Sequence, residues 1–103
     1  MVAPGAHLEF GESPAFKAKL QGRQELGGEI VALLQRTPRA GRWLAGDVWA
    51  LDFLYAGAVY TLIYRRVGQR IGLVRLFELP QEQAEYEAAI REFLDRHSQG
   101  GRR

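Results

Sequence analysis

Seven arginines stand between Gln35 and Arg75: Arg36, Arg39, Arg42, Arg65, Arg66, Arg70 and Arg75. Only Asp47 and Asp52 oppose them in that span. From Leu76 onward the balance reverses, with Glu78, Glu82, Glu85, Glu87, Glu92 and Asp95 against Arg91, Arg96, Arg102 and Arg103. A guanidinium fork matches the two oxygens of a phosphate, so a basic middle followed by an acidic end is the charge pattern of a surface for a polyanion. Arg39, Arg42, Arg65 and Arg70 are the expected nucleic-acid-binding set, provided the fold brings them together. Trp43, Trp49, Tyr55 and Tyr60 can stack on bases; equally, aromatics at alternating strand positions pack against neighbours. A base composition that favours arginine codons accounts for twelve arginines among fourteen basic residues, but not for their clustering.

Other chemistries are excluded by what the chain lacks. Cysteine is absent, which removes disulfides, thiolate metal sites and a thiol nucleophile. With His7 and His97 the only histidines, a histidine metal centre is not expected, and neither a metal nor another cofactor is. No apolar run approaches the roughly 20 residues needed to cross a bilayer, and the first residues lack a basic segment followed by an apolar one, so a cytoplasmic protein without membrane contact is expected. The 103 residues, 47% hydrophobic and 25% charged, suit one folded domain over residues 1–103, with 1–6 and 99–103 as flexible ends.

The elements that must carry these side chains can be read from periodicity. His7-Leu8-Glu9-Phe10 alternates weakly before Gly11 and suits a short edge strand. Ser13-Pro14 is a helix start, serine as cap and proline in the first turn. Phe16 and Leu20 share one face of that helix. After a break at Gly22, Leu26, Ile30, Leu33 and Leu34 define a second helix that ends before Thr37-Pro38, giving a helical hairpin over 14–36. Gly27-Gly28 predicts an irregular first turn in it. Residues 37–47 read as a loop.

Beyond Asp47 the period drops to two, and three strands are expected at 48–55, 58–67 and 70–79, turning at Ala56-Gly57 and Gly68-Gln69. Alternation places Arg65 and Arg66 on opposite faces, and Arg75 on one side with Ile71, Leu73 and Phe77. There Arg75 either touches substrate or pairs with Asp52 or a glutamate. A last helix over 81–97 carries Tyr86, Ile90, Phe93, Leu94 and His97 along one stripe, with His97 near the terminal carbonyls and Gly100-Gly101 as the stop. The expected fold is α+β: a short N-terminal strand, a helical hairpin, a three-stranded antiparallel meander and a C-terminal helix (β-α-α-β-β-β-α). The helices cover one face of the sheet in two layers.

In this order the chain resembles the RelE/ParE superfamily of small bacterial toxins over nearly its whole length. The resemblance rests on the opening strand and helix with Phe16-Lys17-Ala18-Lys19-Leu20, on the Pro-then-Gly loop Thr37-Pro38-Arg39-Ala40-Gly41-Arg42-Trp43-Leu44-Ala45-Gly46, on Tyr60-Thr61-Leu62-Ile63-Tyr64-Arg65 as central strand, and on Arg70 to Phe77 as the next. It implies a toxin paired with a cognate antitoxin, inhibiting translation by ribosome-dependent cleavage of messenger RNA or a weakened form of it. In that case Arg65, Arg75 and Tyr86 form the catalytic set, with Arg42 as a further phosphate contact and Tyr64 as the other candidate phenol. The alternatives are a gyrase inhibitor of the ParE kind and a non-catalytic binding protein on the same fold; a homodimer stays open. The sequence departs from the RNA-cleaving pattern at Thr61, Ala50, Asp52 and Gln81, where basic residues are usual in relatives, and its two lysines lie elsewhere, at 17 and 19.

Overall fold

The computed structural model describes residues 8–101, together with the side chains of residues 8–96. The expectations for residues 1–7, for 102–103 and for the His97 side chain fall outside what it describes. The elements in chain order are β1 (Glu9–Glu12), α1 (Pro14–Lys19), α2 (Gln24–Arg36), β2 (Arg42–Ala45), β3 (Val48–Tyr55), β4 (Ala58–Val67), β5 (Arg70–Leu79) and α3 (Gln83–Gly101). They form a small α+β domain around one mixed sheet in the order β1-β5-β4-β3-β2. β1 runs parallel to β5 at one edge, and the remaining neighbours are antiparallel.

Two expectations about the elements need correction. The segment read as a loop contains β2, which folds back through Gly46-Asp47 and pairs with β3, Arg42 opposite Ala50 and Trp43 opposite Trp49. Four residues with a register shift before Ala45 are too short and irregular for a period of two to show. The sheet therefore has five strands instead of four. In α2 no irregular first turn is found: the helix is continuous from Gln24, and a Cβ on Gly27 would lie 2.9 Å from Leu20 Cδ1. That glycine lets α2 close on the end of α1.

The layering also differs. Phe16, Leu20, Leu26, Ile30 and Leu34 of the helical hairpin join Leu51, Tyr60, Leu62, Tyr64, Ile71, Leu73 and Leu76 in the main core. Val48, Ile63 and Phe77, which alternate with these along the strands, join Ala89, Tyr86, Ile90 and Phe93 of α3 in a second core. The sheet is thus buried from both sides, α1 and α2 on one face and α3 on the other, which accounts for the long apolar runs in β4. α3 crosses that second face in contact with both β5 and β2. Its inner stripe includes Ala89, whereas Leu94 is exposed, and the helix takes in Gly100 and Gly101, the expected stop.

A bulge in β5 overturns the expected placement of Arg75. Ile63 pairs with Arg75 but Tyr64 pairs with Leu73, so Val74 is an extra residue on one strand. The insertion reverses the alternation: Ile71 and Leu73 point into the main core, Arg75 and Phe77 to the α3 side. Ser13 holds the bulge. Its amide donates to Leu73 O at 2.9 Å and its hydroxyl to Val74 O at 2.6 Å, while Oγ accepts the Phe16 amide at 3.0 Å as cap of α1.

Candidate functional site

On the α3 side of the sheet, cross-strand register assembles a polar network. Asp52 of β3 lies opposite Thr61 of β4. The fully buried Thr61 hydroxyl donates to Asp52 Oδ1 at 2.7 Å, and the other carboxylate oxygen accepts from Arg42 Nη1 at 2.7 Å. Arg42 Nη2 donates to the Tyr86 hydroxyl, also at 2.7 Å. Tyr86 sits in the first turns of α3, its ring edge-on to Phe77 with centroids 5.8 Å apart. One strand edge, the sheet centre and the covering helix therefore meet at a single guanidinium. The bond to Asp52 is the main reason that Arg42 titrates even higher than usual; burial opposes it and Tyr86 adds to it.

Arg65 and Arg75 share this face. Arg65 makes a bidentate bond to Asp47 in the β2–β3 turn, with Nε at 3.1 Å and Nη2 at 2.8 Å, and this pairing raises its pKa. The Arg75 guanidinium carbon lies 4.9 Å from the Phe77 ring centroid. Asp52, an expected partner of Arg75, is engaged by Arg42 and Thr61 instead. Arg65, Arg75 and Tyr86, the set expected to be catalytic, thus lie on one side of the sheet, but each is joined to a different neighbour.

The four arginines expected to bind nucleic acid do not form one patch. Arg42 is tied to Asp52 and to Tyr86 of α3, with about half of its side chain exposed. Arg65 belongs to Asp47. Arg70, at the start of β5, faces Glu9 at 3.4 Å, both side chains largely exposed. Arg39 lies in the loop before β2 and lines a groove of about 550 Å³ with Trp43, Trp49, Arg66 and Asp47. Arg66 points away from Arg65, as alternation predicts, and donates to Pro38 O at 2.5 Å. Their arrangement could not have been read from the sequence, because it depends on the loop and turns between the elements and on the unrecognised β2 that carries Arg42.

Tyr64, the second candidate phenol, is fully buried in the main core, away from the α3 face. Burial pushes its hydroxyl above the ordinary tyrosine range, against opposing contributions from the Arg66 charge and the Gly41 backbone. Lys19 pairs with Glu82, and Glu82 Oε1 accepts the Glu78 amide at 2.7 Å. The lysine is thus committed to holding α1 against the β5–α3 connection. Among the described residues no helix is long and apolar enough to cross a membrane, and no group of three or more acidic or histidine side chains could hold a metal ion.

Sequence reasoning singled out Thr61 as a departure from a basic pattern and Asp52 as another and as a partner for Arg75, and missed that Asp52 joins Thr61 to Arg42. The signal was present: Asp52 and Thr61 are each four positions from the shared turn at Ala56-Gly57, which makes them direct cross-strand neighbours. Comparison with family models, with curated proteins and with solved structures finds no match to this chain.

Proposed function

We propose that this chain is a RelE/ParE-like toxin-type domain, cytoplasmic and paired with a cognate antitoxin, that acts by occupying its target and not by cutting RNA. What supports this reading is the engagement of its candidate catalytic groups. Arg42 and Arg65 are held by carboxylates, and the Tyr86 phenol is taken up by Arg42. In-line cleavage by a 2′-hydroxyl builds negative charge on the phosphate, which must meet positive groups whose field is not already cancelled. An arginine in a bidentate carboxylate pair offers that charge only after the pair separates.

Ribosome-dependent messenger cleavage is the second reading, and one observation favours it: Arg42, Arg65, Arg75 and Tyr86 all lie on the α3 side of the sheet. Induced expression in a bacterial host separates the two, read by growth and by mapping messenger 5′ ends on translating ribosomes. Mild or no growth arrest without new A-site ends is expected. Strong arrest with A-site cleavage that Arg65→Ala abolishes overturns the occupancy reading in favour of the nuclease. Gyrase supercoiling with added purified protein distinguishes a ParE-like target from a ribosomal one.

A further inference from the structure

The groove on the other side of the molecule is built differently from the network under α3. It lies at the end of the sheet where the β2–β3 and β4–β5 turns meet, and Arg39, Trp43, Trp49 and Arg66 supply its chemistry. Trp43 and Trp49 are direct cross-strand partners. Trp43 is 60% exposed, unusual for so large an apolar ring, yet its indole N–H donates to Gly46 O at 2.9 Å. That bond fixes one edge of the ring and leaves its surface presented to solvent. The hydrophobic effect alone would turn such a side chain inward.

Charge complements the rings. Among the described residues Arg39 makes no ion pair, and Arg66 is tied to a backbone carbonyl, which leaves its positive charge uncancelled. The acid at the rim, Asp47, has both oxygens engaged by Arg65. Two uncancelled guanidinium groups beside an indole held at its edge are what a nucleotide requires: a stacking surface for the base and forks for the adjacent phosphates. At about 550 Å³ the groove has the size range of small-ligand sites.

We propose that this groove binds single-stranded nucleic acid, one base stacking on Trp43 against the Trp49 wall and the flanking phosphates meeting Arg39 and Arg66. The inference stands on the groove alone and does not depend on the toxin reading. A duplex keeps its bases stacked on each other, so it offers the groove phosphates without a free base face.

The test uses the full chain with fluorescein-labelled 12-mers of deoxythymidine and of uridine, a 12-base-pair duplex, and polyglutamate as an acidic polymer without bases. Anisotropy gives affinity, and quenching of tryptophan emission reports stacking. The single strands should bind at least tenfold more tightly than the duplex and should quench the emission; which of the two binds better tells RNA from DNA preference. Trp43→Ala should weaken binding roughly 5- to 100-fold, with Trp43→Phe recovering part of the loss. Arg39→Ala should reduce the log–log salt slope by about 0.7, whereas Arg91→Ala on α3 should leave affinity and slope unchanged. Equal affinity for duplex, polyglutamate competing as well as the oligonucleotides, or a folded Trp43→Ala that binds like the parent would each overturn the proposal.

Discussion

Individual residues show how little slack the turns and close contacts leave. Ala56 adopts φ 52° and Gly57 φ 80°, both in the left-handed region, so the β3–β4 hairpin uses a turn that favours Asn-Gly. An alanine in that region costs about 1 kcal/mol. Ala56→Asn is therefore expected to stabilise the domain by about 0.5–1 kcal/mol, read as a higher urea midpoint at unchanged slope. Gly41 is the opposite case. A Cβ there would collide with the buried Tyr64 hydroxyl and lie 2.9 Å from Ala50 O, a backbone atom that cannot turn aside. Gly41→Ala should cost about 1–3 kcal/mol, and a midpoint equal to the parent's would show that the loop can yield. The sequence marked Ala56-Gly57 as a turn from its dipeptide alone. Gly41 stood in it only as part of the Pro-then-Gly loop, and its steric requirement, which comes from a tyrosine 23 positions away, was not legible there.

Among the elements, the joint between α1, β5 and α3 carries the clearest pH dependence. Glu82 accepts from Lys19 and from the Glu78 amide, while its own amide and carbonyl join the turn leading into α3. Burial is the largest single influence on its pKa and raises it. The bonds from Lys19 and Glu78 and the charges of Lys19 and Arg23 together outweigh burial, so the carboxyl ends up below its usual value of 4.5. A carboxyl whose pKa is lower folded than unfolded contributes stability above the unfolded value, and loses it as pH falls through the folded one. Glu82→Gln should cost about 1 kcal/mol at pH 7 and almost nothing below both pKa values. Parental and variant urea midpoints should converge as pH drops below about 4.5; a gap that persists at pH 2 would assign the effect to packing. At this scale the sequence was legible wherever one period ran unbroken: both helices of the hairpin, the strands at 48–55 and 58–67, the bounds but not the facing of the strand at 70–79, and the inner stripe of α3 to within a few residues. It was illegible where register breaks. The Val74 bulge carries no glycine or proline to announce it, and the carbonyls that Ser13 satisfies lie 60 and 61 positions away.

For the whole molecule, the distribution of charge decides what the basic middle can do. A local excess of arginine suggested one polyanion surface, but the fold distributes those arginines over both faces of the sheet and sets acids beside several of them. Arg42 meets Asp52, Arg65 meets Asp47 and Arg70 meets Glu9, and two of these acids are the only ones within the basic span. Linear charge counts could not show this, since two charges in sequence proximity need not share a surface, and two far apart can cancel. The consequence is testable through the acids. Asp47→Asn with Asp52→Asn keeps side-chain shape at both sites, replaces one acceptor oxygen of each carboxylate with an N–H donor, and raises the formal net charge from +2 to +4. Exposed ion pairs contribute about 0–1 kcal/mol each, so the double variant should stay folded. Released from their partners, Arg42 and Arg65 should then recruit phosphate: heparin elution should move to higher salt, and the log–log salt slope for a single-stranded oligonucleotide should steepen by about 1.4, close to 0.7 for each of two new contacts. Because the two arginines lie on the α3 side, this added binding should survive Trp43→Ala, which acts on the other face. A double variant with the parental salt slope would mean that the two arginines remain inaccessible to phosphate once freed, with α3 and the sheet edge, and not the two aspartates, holding them back.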